Sequence, residues 1–204
     1  MIKNWSELPV GKLEAIRATY SIEDEDKRTM TVAGILADKT YNDILNMPLA
    51  ETEKLIANTA FLYTEPKTIK IRDSYNLNGT IYIPLKKMEH MTTAQYIDYQ
   101  ALGQDSVERI AEFLAIFMVP EGCKYNDGGY DREKVVDDIS QYMMAEEALG
   151  IADFFTRRCV RLIRRTLLLL EAKMTTQSVI GSKETRKQAK QAAKVIKGLR
   201  RIYG

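Results

Sequence analysis

The sequence predicts a mainly α-helical fold with one central β-hairpin, built as an acidic helical body followed by a basic C-terminal helical arm. Three observations carry this expectation. Apolar residues recur at helical spacing in segments bounded by Pro, Gly and side-chain caps. Residues 67–85 change to strand-like alternation around Asn78-Gly79. Charge is divided along the chain: residues 157–204 hold 14 Lys/Arg against two acids, a net +12, while residues 1–156 hold 16 basic residues against 26 acids, a net −10. The whole-chain value of +2 conceals this split. A body of one sign with an arm of the other is the pattern of an interaction protein.

A chain of 204 residues can bury a full core. Its 45% hydrophobic and 28% charged content is that of a soluble globular protein. No apolar run approaches the roughly 20 residues of a membrane span, so no membrane partner is expected. The opening Met1-Ile2-Lys3-Asn4-Trp5 lacks the apolar stretch of a signal peptide, which points to a cytoplasm. Two cysteines far apart, Cys123 and Cys159, fit a reducing compartment.

The elements follow in order. A first helix is expected over residues 8–20, with Pro9 near its start. Glu23 to Asp26 place negative charge at the start of a second helix, residues 27–37, where the helix dipole favours it. A third opens at Pro48 and runs to about Tyr63, ended by Pro66. Residues 68–71 and 80–83 alternate as the two strands of a hairpin with a longer than minimal loop. Thr92 and Gln95 form a capping box for a helix reaching Leu102. Residues 107–118 make a strongly apolar helix stopped by Pro120 and Gly122. After a loop over residues 123–130, Asp131 caps a helix over residues 132–142. The two halves also echo one another: residues 8–13 parallel 91–96, residues 33–36 and 41–43 parallel 111–118 and 125–127, and residues 47–51 parallel 143–147. An internal duplication would make one pseudo-symmetric body.

On a helical wheel, Arg157, Arg158, Arg161, Arg164 and Arg165 occupy about a third of the circle, opposite Phe155, Cys159, Leu162, Ile163, Thr166, Leu167 and Leu170. Five arginines on one face suit planar bidentate partners, carboxylates or phosphates. They also repel one another by a few tenths of a kcal/mol per pair, which an acidic partner relieves. The body thus ends near residue 170, residues 171–182 read as a polar linker, and residues 183–204 as a basic helical arm. The candidate partner-binding residues are Arg157, Arg158, Arg161, Arg164, Arg165, Lys187, Lys190, Lys194, Lys197, Arg200 and Arg201.

Catalytic equipment is not expected. The single histidine, His90, has no Cys, His or Asp cluster beside it in sequence, and reads as a solvent-facing or capping residue. Asp127-Gly128-Gly129-Tyr130-Asp131 lacks the oxygen spacing of a calcium loop and reads as a turn with a helix cap. There is no phosphate-binding Gly-Lys-Ser/Thr loop, no dinucleotide fingerprint and no Cys-x-x-Cys pair. No cofactor or metal is expected. Tyr96, Tyr99, Tyr125 and Tyr130 read as core or interface anchors.

Residues 91–100, residues 115–127 and Tyr130-Asp131, together with the opening at residues 4–9 and the stretch 46–49, give a texture that resembles small tailed-phage morphogenesis proteins. These are tail-assembly chaperone-like or virion structural proteins of phages infecting gut Bacteroidetes. The resemblance covers residues 1–156 and carries no functional residue with it. The basic C-terminal stretch departs from the chaperone-like members. The resemblance implies a non-enzymatic tail or head–tail connector protein, assembled in the bacterial cytoplasm and built into the virion. Its expected partners are other copies of itself, closing into a ring, and other tail or connector proteins. Two alternatives are a chaperone absent from mature virions, and an accessory protein that binds packaged DNA through the basic tail.

Overall fold

The computed structural model describes residues 1–67, 69–103 and 108–161. The chain divides into two compact units, Met1–Asp153 and Phe154–Gly204. The expected limits at 170, 171–182 and 183–204 lie outside the described residues. The described residues are mainly helical with one small three-stranded antiparallel sheet. None of the described helices is long and apolar enough to cross a membrane.

In the first unit, helix α1 (Val10–Ala18) starts directly after Pro9 and tightens into a 3₁₀ turn over Thr19–Ser21. Helix α2 (Glu25–Ala37) is capped by Asp24, whose carboxylate accepts from Lys27 N, and carries Glu25 and Asp26 in its first turn. It ends on Asp38 at φ 55°, in the left-handed region, where Lys12 reaches the Asp38 carboxylate at 2.7 Å. A short helix not expected from the sequence follows, α3 (Tyr41–Leu45), started by a capping box between Thr40 and Asp43. Helix α4 (Leu49–Ala57) passes into a 3₁₀ stretch over Asn58–Tyr63, so the expected helix over 48–63 is α-helical only in its first part. Trp5 packs edge-on against Phe61 and donates its indole N–H to Thr64 O at 3.0 Å, closing the N-terminus onto this stretch.

The hairpin is present, but its first strand is displaced from the expected position. Strand β1 is Tyr75–Leu77, not residues 68–71, and β2 is Thr80–Pro84. Asn78 and Gly79 both have positive φ, 50° and 80°. That is the two-residue turn whose twist matches the strands, so the strands must begin on either side of it. The alternation at residues 68–71 is too far from the turn to join the ladder. A second departure is the third strand, β3 (Met118–Pro120), where the sequence suggested helix to Met118. Met118 pairs with Pro84 and Val119 with Ile83. Tyr75, Leu77, Tyr82 and Pro84 face inward; Asn76, Ile81 and Ile83 face out.

Helix α5 (Thr93–Leu102) begins with the expected Thr92–Gln95 box. Helix α6 (Ile110–Phe117) runs straight into β3, and α7 (Arg132–Tyr142) is capped by Asp131 as expected. Seven of the eight residues of α6 are buried. Helices α1, α5 and α7 pack around it. Tyr99 meets Phe113 and Phe117 edge-on at ring distances of 6.1 and 6.0 Å. Residues 8–10 pair with 143–145 through Val10 N to Met143 O and Ala145 N to Leu8 O, tying α1 to the end of α7. Of the echoed segments, Pro9 and Thr92 each immediately precede a helix. Tyr41 begins α3 whereas Tyr125 lies in a loop.

The close approach at Gly34 tests this packing. A Cβ there would lie 2.7 Å from the backbone oxygen of Lys39, whereas at Gly128 it would meet nothing within 4 Å. Gly34→Ala is expected to destabilise the protein by about 1–3 kcal/mol, and Gly128→Ala by less than about 0.5 kcal/mol, as read by urea denaturation. Equal effects would show that the α2 turn is not tightly held.

Candidate protein-interaction surface

The expected interaction residues are only partly within the described residues. Arg164, Arg165, Lys187, Lys190, Lys194, Lys197, Arg200 and Arg201 lie outside them. Residues 154–161 are helical. Arg157 and Arg161, one turn apart, are exposed, while Phe155 and Cys159, also one turn apart, are buried. The amphipathic pattern of the wheel therefore holds over these two turns. Arg158 stacks its guanidinium 4.1 Å from the Phe154 ring centroid. A cation over a ring face is held in one plane without losing its charge.

The division into units coincides with the division of charge. Met1–Asp153 contains 16 basic and 26 acidic residues, and Phe154–Gly204 contains 14 basic and two acidic residues. Each compact unit thus has one sign, −10 and +12. The cut between the units at Asp153/Phe154 falls inside the continuous helix over residues 145–161, and no charged residue lies between it and Arg157.

Ionisable groups inside the first unit are tied down by internal partners. Asp138, only 5% exposed, accepts from the Tyr82 hydroxyl at 2.5 Å and from Lys134 Nζ at 2.6 Å. Burial would raise its pKa, but the bonds from Lys134 and Tyr82 prevail and hold it below the usual aspartate value. Burial, reinforced by the Asp138 bond, pushes the Tyr82 hydroxyl up. A second knot joins Asp98, Tyr125 and Arg132: the Tyr125 hydroxyl donates to Asp98 at 2.5 Å and Arg132 stands 3.6 Å away. Tyr130 packs against Tyr125 with its ring tilted 45° at 4.9 Å and donates to Ala115 O. Burial raises the Tyr125 pKa and pushes that of Tyr130 up to about 12. These tyrosines anchor the loop over residues 123–131 to α5 and α6. Asp127 accepts from Gly128 N and Asp131 from Lys134 N, so this stretch is a turn and a cap.

Concave places open among the described residues of the first unit, two of which bear on function. One, of about 420 Å³, lies against the sheet and is lined by Ile83, Phe117 and Val119 with Lys86, His90 and Cys123 at its polar edge. His90 and Cys123, unrelated in sequence, share this cleft. Lys86 is paired with Asp73 at 2.5 Å, and Cys123 Sγ donates to Gly129 O at 3.5 Å. Among the described residues no three His, Cys, Asp or Glu side chains gather to hold a metal ion. The other is a shallow groove between Thr19–Ser21, α2 and Asn58–Tyr63. Its flanking tyrosines, Tyr20 and Tyr63, are 71% and 87% exposed. Neither was singled out from the sequence, because nothing in their local spacing separates an exposed tyrosine from a buried one.

No known protein family, no characterised protein and no solved structure matches this chain.

The Asp138 knot has a testable pH signature. A carboxyl whose folded pKa is depressed contributes its full stability above the ordinary aspartate value of about 4, and loses it as pH falls through the lower folded value. Asp138→Ala, which leaves the buried Tyr82 hydroxyl without its acceptor, is expected to cost about 1–3 kcal/mol at pH 7. The gap to the native protein should narrow below about pH 4. Denaturant titrations at pH 7 and pH 3 read this, and a pH-independent gap would show that the ionised form contributes nothing.

Proposed function

We propose that this protein is a non-enzymatic assembly protein whose copies clasp one another, the basic unit of one copy binding the acidic unit of the next. The observation that carries this reading is the coincidence of the charge boundary with the boundary between compact units. Repeated head-to-tail contacts of this type close into rings when the rotation per subunit allows it. The resemblance of residues 1–156 to tailed-phage morphogenesis proteins favours a tail or head–tail connector component, with neighbouring tail or connector proteins as further partners and the virion as its final location. Individual exposed ion pairs contribute only about 0.2–1 kcal/mol. The clasp therefore rests on many pairs acting together, and on ionic strength.

A second reading is favoured by the same +12 segment: binding of packaged DNA through phosphate contacts. Its dependence on salt would be steep, with a slope set by the number of phosphates engaged.

Native mass spectrometry of the full chain separates the two. The clasp predicts a discrete oligomer at low salt that dissociates towards monomer near 1 M salt, where the screening length is about 3 Å. The DNA reading predicts a monomer that is retained by duplex DNA at low salt. A monomer without DNA affinity at low salt would overturn both. Detection of the protein in purified mature virions, with its copy number, tests the connector assignment; absence from particles would favour a transient chaperone.

A further inference from the structure

The groove between Thr19–Ser21, α2 and Asn58–Tyr63 has the composition of a docking site. Ile16, Val32 and Leu62 supply an apolar floor, and Tyr20 and Tyr63 stand at its mouth. An exposed tyrosine presents large apolar area with few torsions to freeze, which is why tyrosine recurs at binding hot spots. Here two tyrosines frame one groove, and each is more than two-thirds exposed.

The charge beside the groove selects the occupant. On α2, Glu25, Arg28 and Val32 lie at spacings of three and four, so Glu25 shares the helix face that lines the groove through Arg28 and Val32. Glu23, Glu25 and Asp26 are exposed, and Asp24 is spent capping α2. Residues 20–29 hold four acids and two basic residues, a net −2. Arg28 is the one charged side chain among the groove's lining residues, so any attraction for a basic segment comes from the acids that flank it. The chain itself contains a matching ligand. Residues 194–203 hold Lys194, Lys197, Arg200 and Arg201 with no acid, interleaved with Val195, Ile196, Leu199, Ile202 and Tyr203. Ile196, Leu199 and Tyr203 recur in the sequence at spacings of three and four.

We infer that this groove receives residues 194–203 of a second copy, with Ile196, Leu199 and Tyr203 against the Tyr20–Tyr63 groove and the basic side chains towards Glu23, Glu25 and Asp26. The inference rests on the clasp reading and names its contact. It assigns the apolar contacts to affinity and the charges to orientation and encounter rate.

The test places a photo-activated benzoylphenylalanine at Tyr63 in the full chain and mixes ¹⁴N- and ¹⁵N-labelled protein before irradiation. The expected products join position 63 to peptides from residues 194–203 in mixed-isotope pairs. In parallel, Tyr63→Ser and Leu199→Asp should each weaken oligomer formation about tenfold or more. Tyr63 is exposed enough that its substitution leaves the core untouched, which circular dichroism checks. Oligomers that form as well with both variants as without them, or cross-links that avoid residues 194–203 or join only same-isotope chains, would overturn the docking site and leave the clasp standing. A native chain that stays monomeric at low salt would remove the clasp and this contact together.

Discussion

Helix α6 has almost nothing to offer water. Of Ile110–Phe117 only Glu112 escapes burial, and it pairs with Arg109. A helix apolar on nearly every side is stable only when other elements surround it, and the first unit is organised to do this. Helices α1, α5 and α7 pack on it, and its C-terminus continues directly as β3. Burying an aromatic or branched side chain contributes about 1.5–3 kcal/mol. Phe113, Leu114, Ile116 and Phe117 on one helix therefore weigh more than any ion pair on the surface.

The polar knots serve that arrangement. Gln95 both completes the α5 cap and donates to Ile116 O at 2.7 Å, so one side chain starts α5 and fixes it on α6. Glu14 of α1 accepts from Ala111 N at 2.8 Å, satisfying an amide in the first turn of α6 that has no partner within the helix. Burial raises the pKa of Glu14, against the bonds from Ala111 and Ile110. Tyr82 and Asp138 join the sheet to α7. Each knot links an outer element to the buried helix or to its neighbour through hydrogen-bonded polar groups.

Net charge divides along the chain, −10 in the first unit and +12 in the second. The acids that remain on the first unit and the basic excess of the second belong to separate compact units. On the clasp reading, opposite excess charge on the two units drives copies together and makes that association salt-dependent. In the proposed contact, the exposed Tyr20 and Tyr63 supply what charge alone does not, a short-range contact that distinguishes one partner from another.

Local signals were legible in the chain. The Thr92–Gln95 box, the Asp131 cap, the acidic start of α2 and the Asn78-Gly79 turn all act through hydrogen bonds or dihedral preferences within four residues, and a sequence displays such effects directly. The alternation of Arg157 and Arg161 with Phe155 and Cys159 was equally plain, as was the sign of each part of the chain. The sequence by itself thus determined the helical class, the caps, the hairpin turn and the charge split. Only the tertiary structure decided that β1 begins at Tyr75, that Met118–Pro120 is a strand rather than helix, and that His90 and Cys123 share a cleft. It also decided that Tyr20 and Tyr63 frame a groove while Tyr82 is fully buried. Apart from β1, whose Tyr75 pairs with Tyr82 across the turn, each depends on a partner tens of residues away: Pro84 for Met118, Asp138 for Tyr82, the Asn58–Tyr63 stretch for Tyr20. Pairing and burial are properties of two surfaces that meet, and neither surface is written in the neighbourhood of the residue it buries.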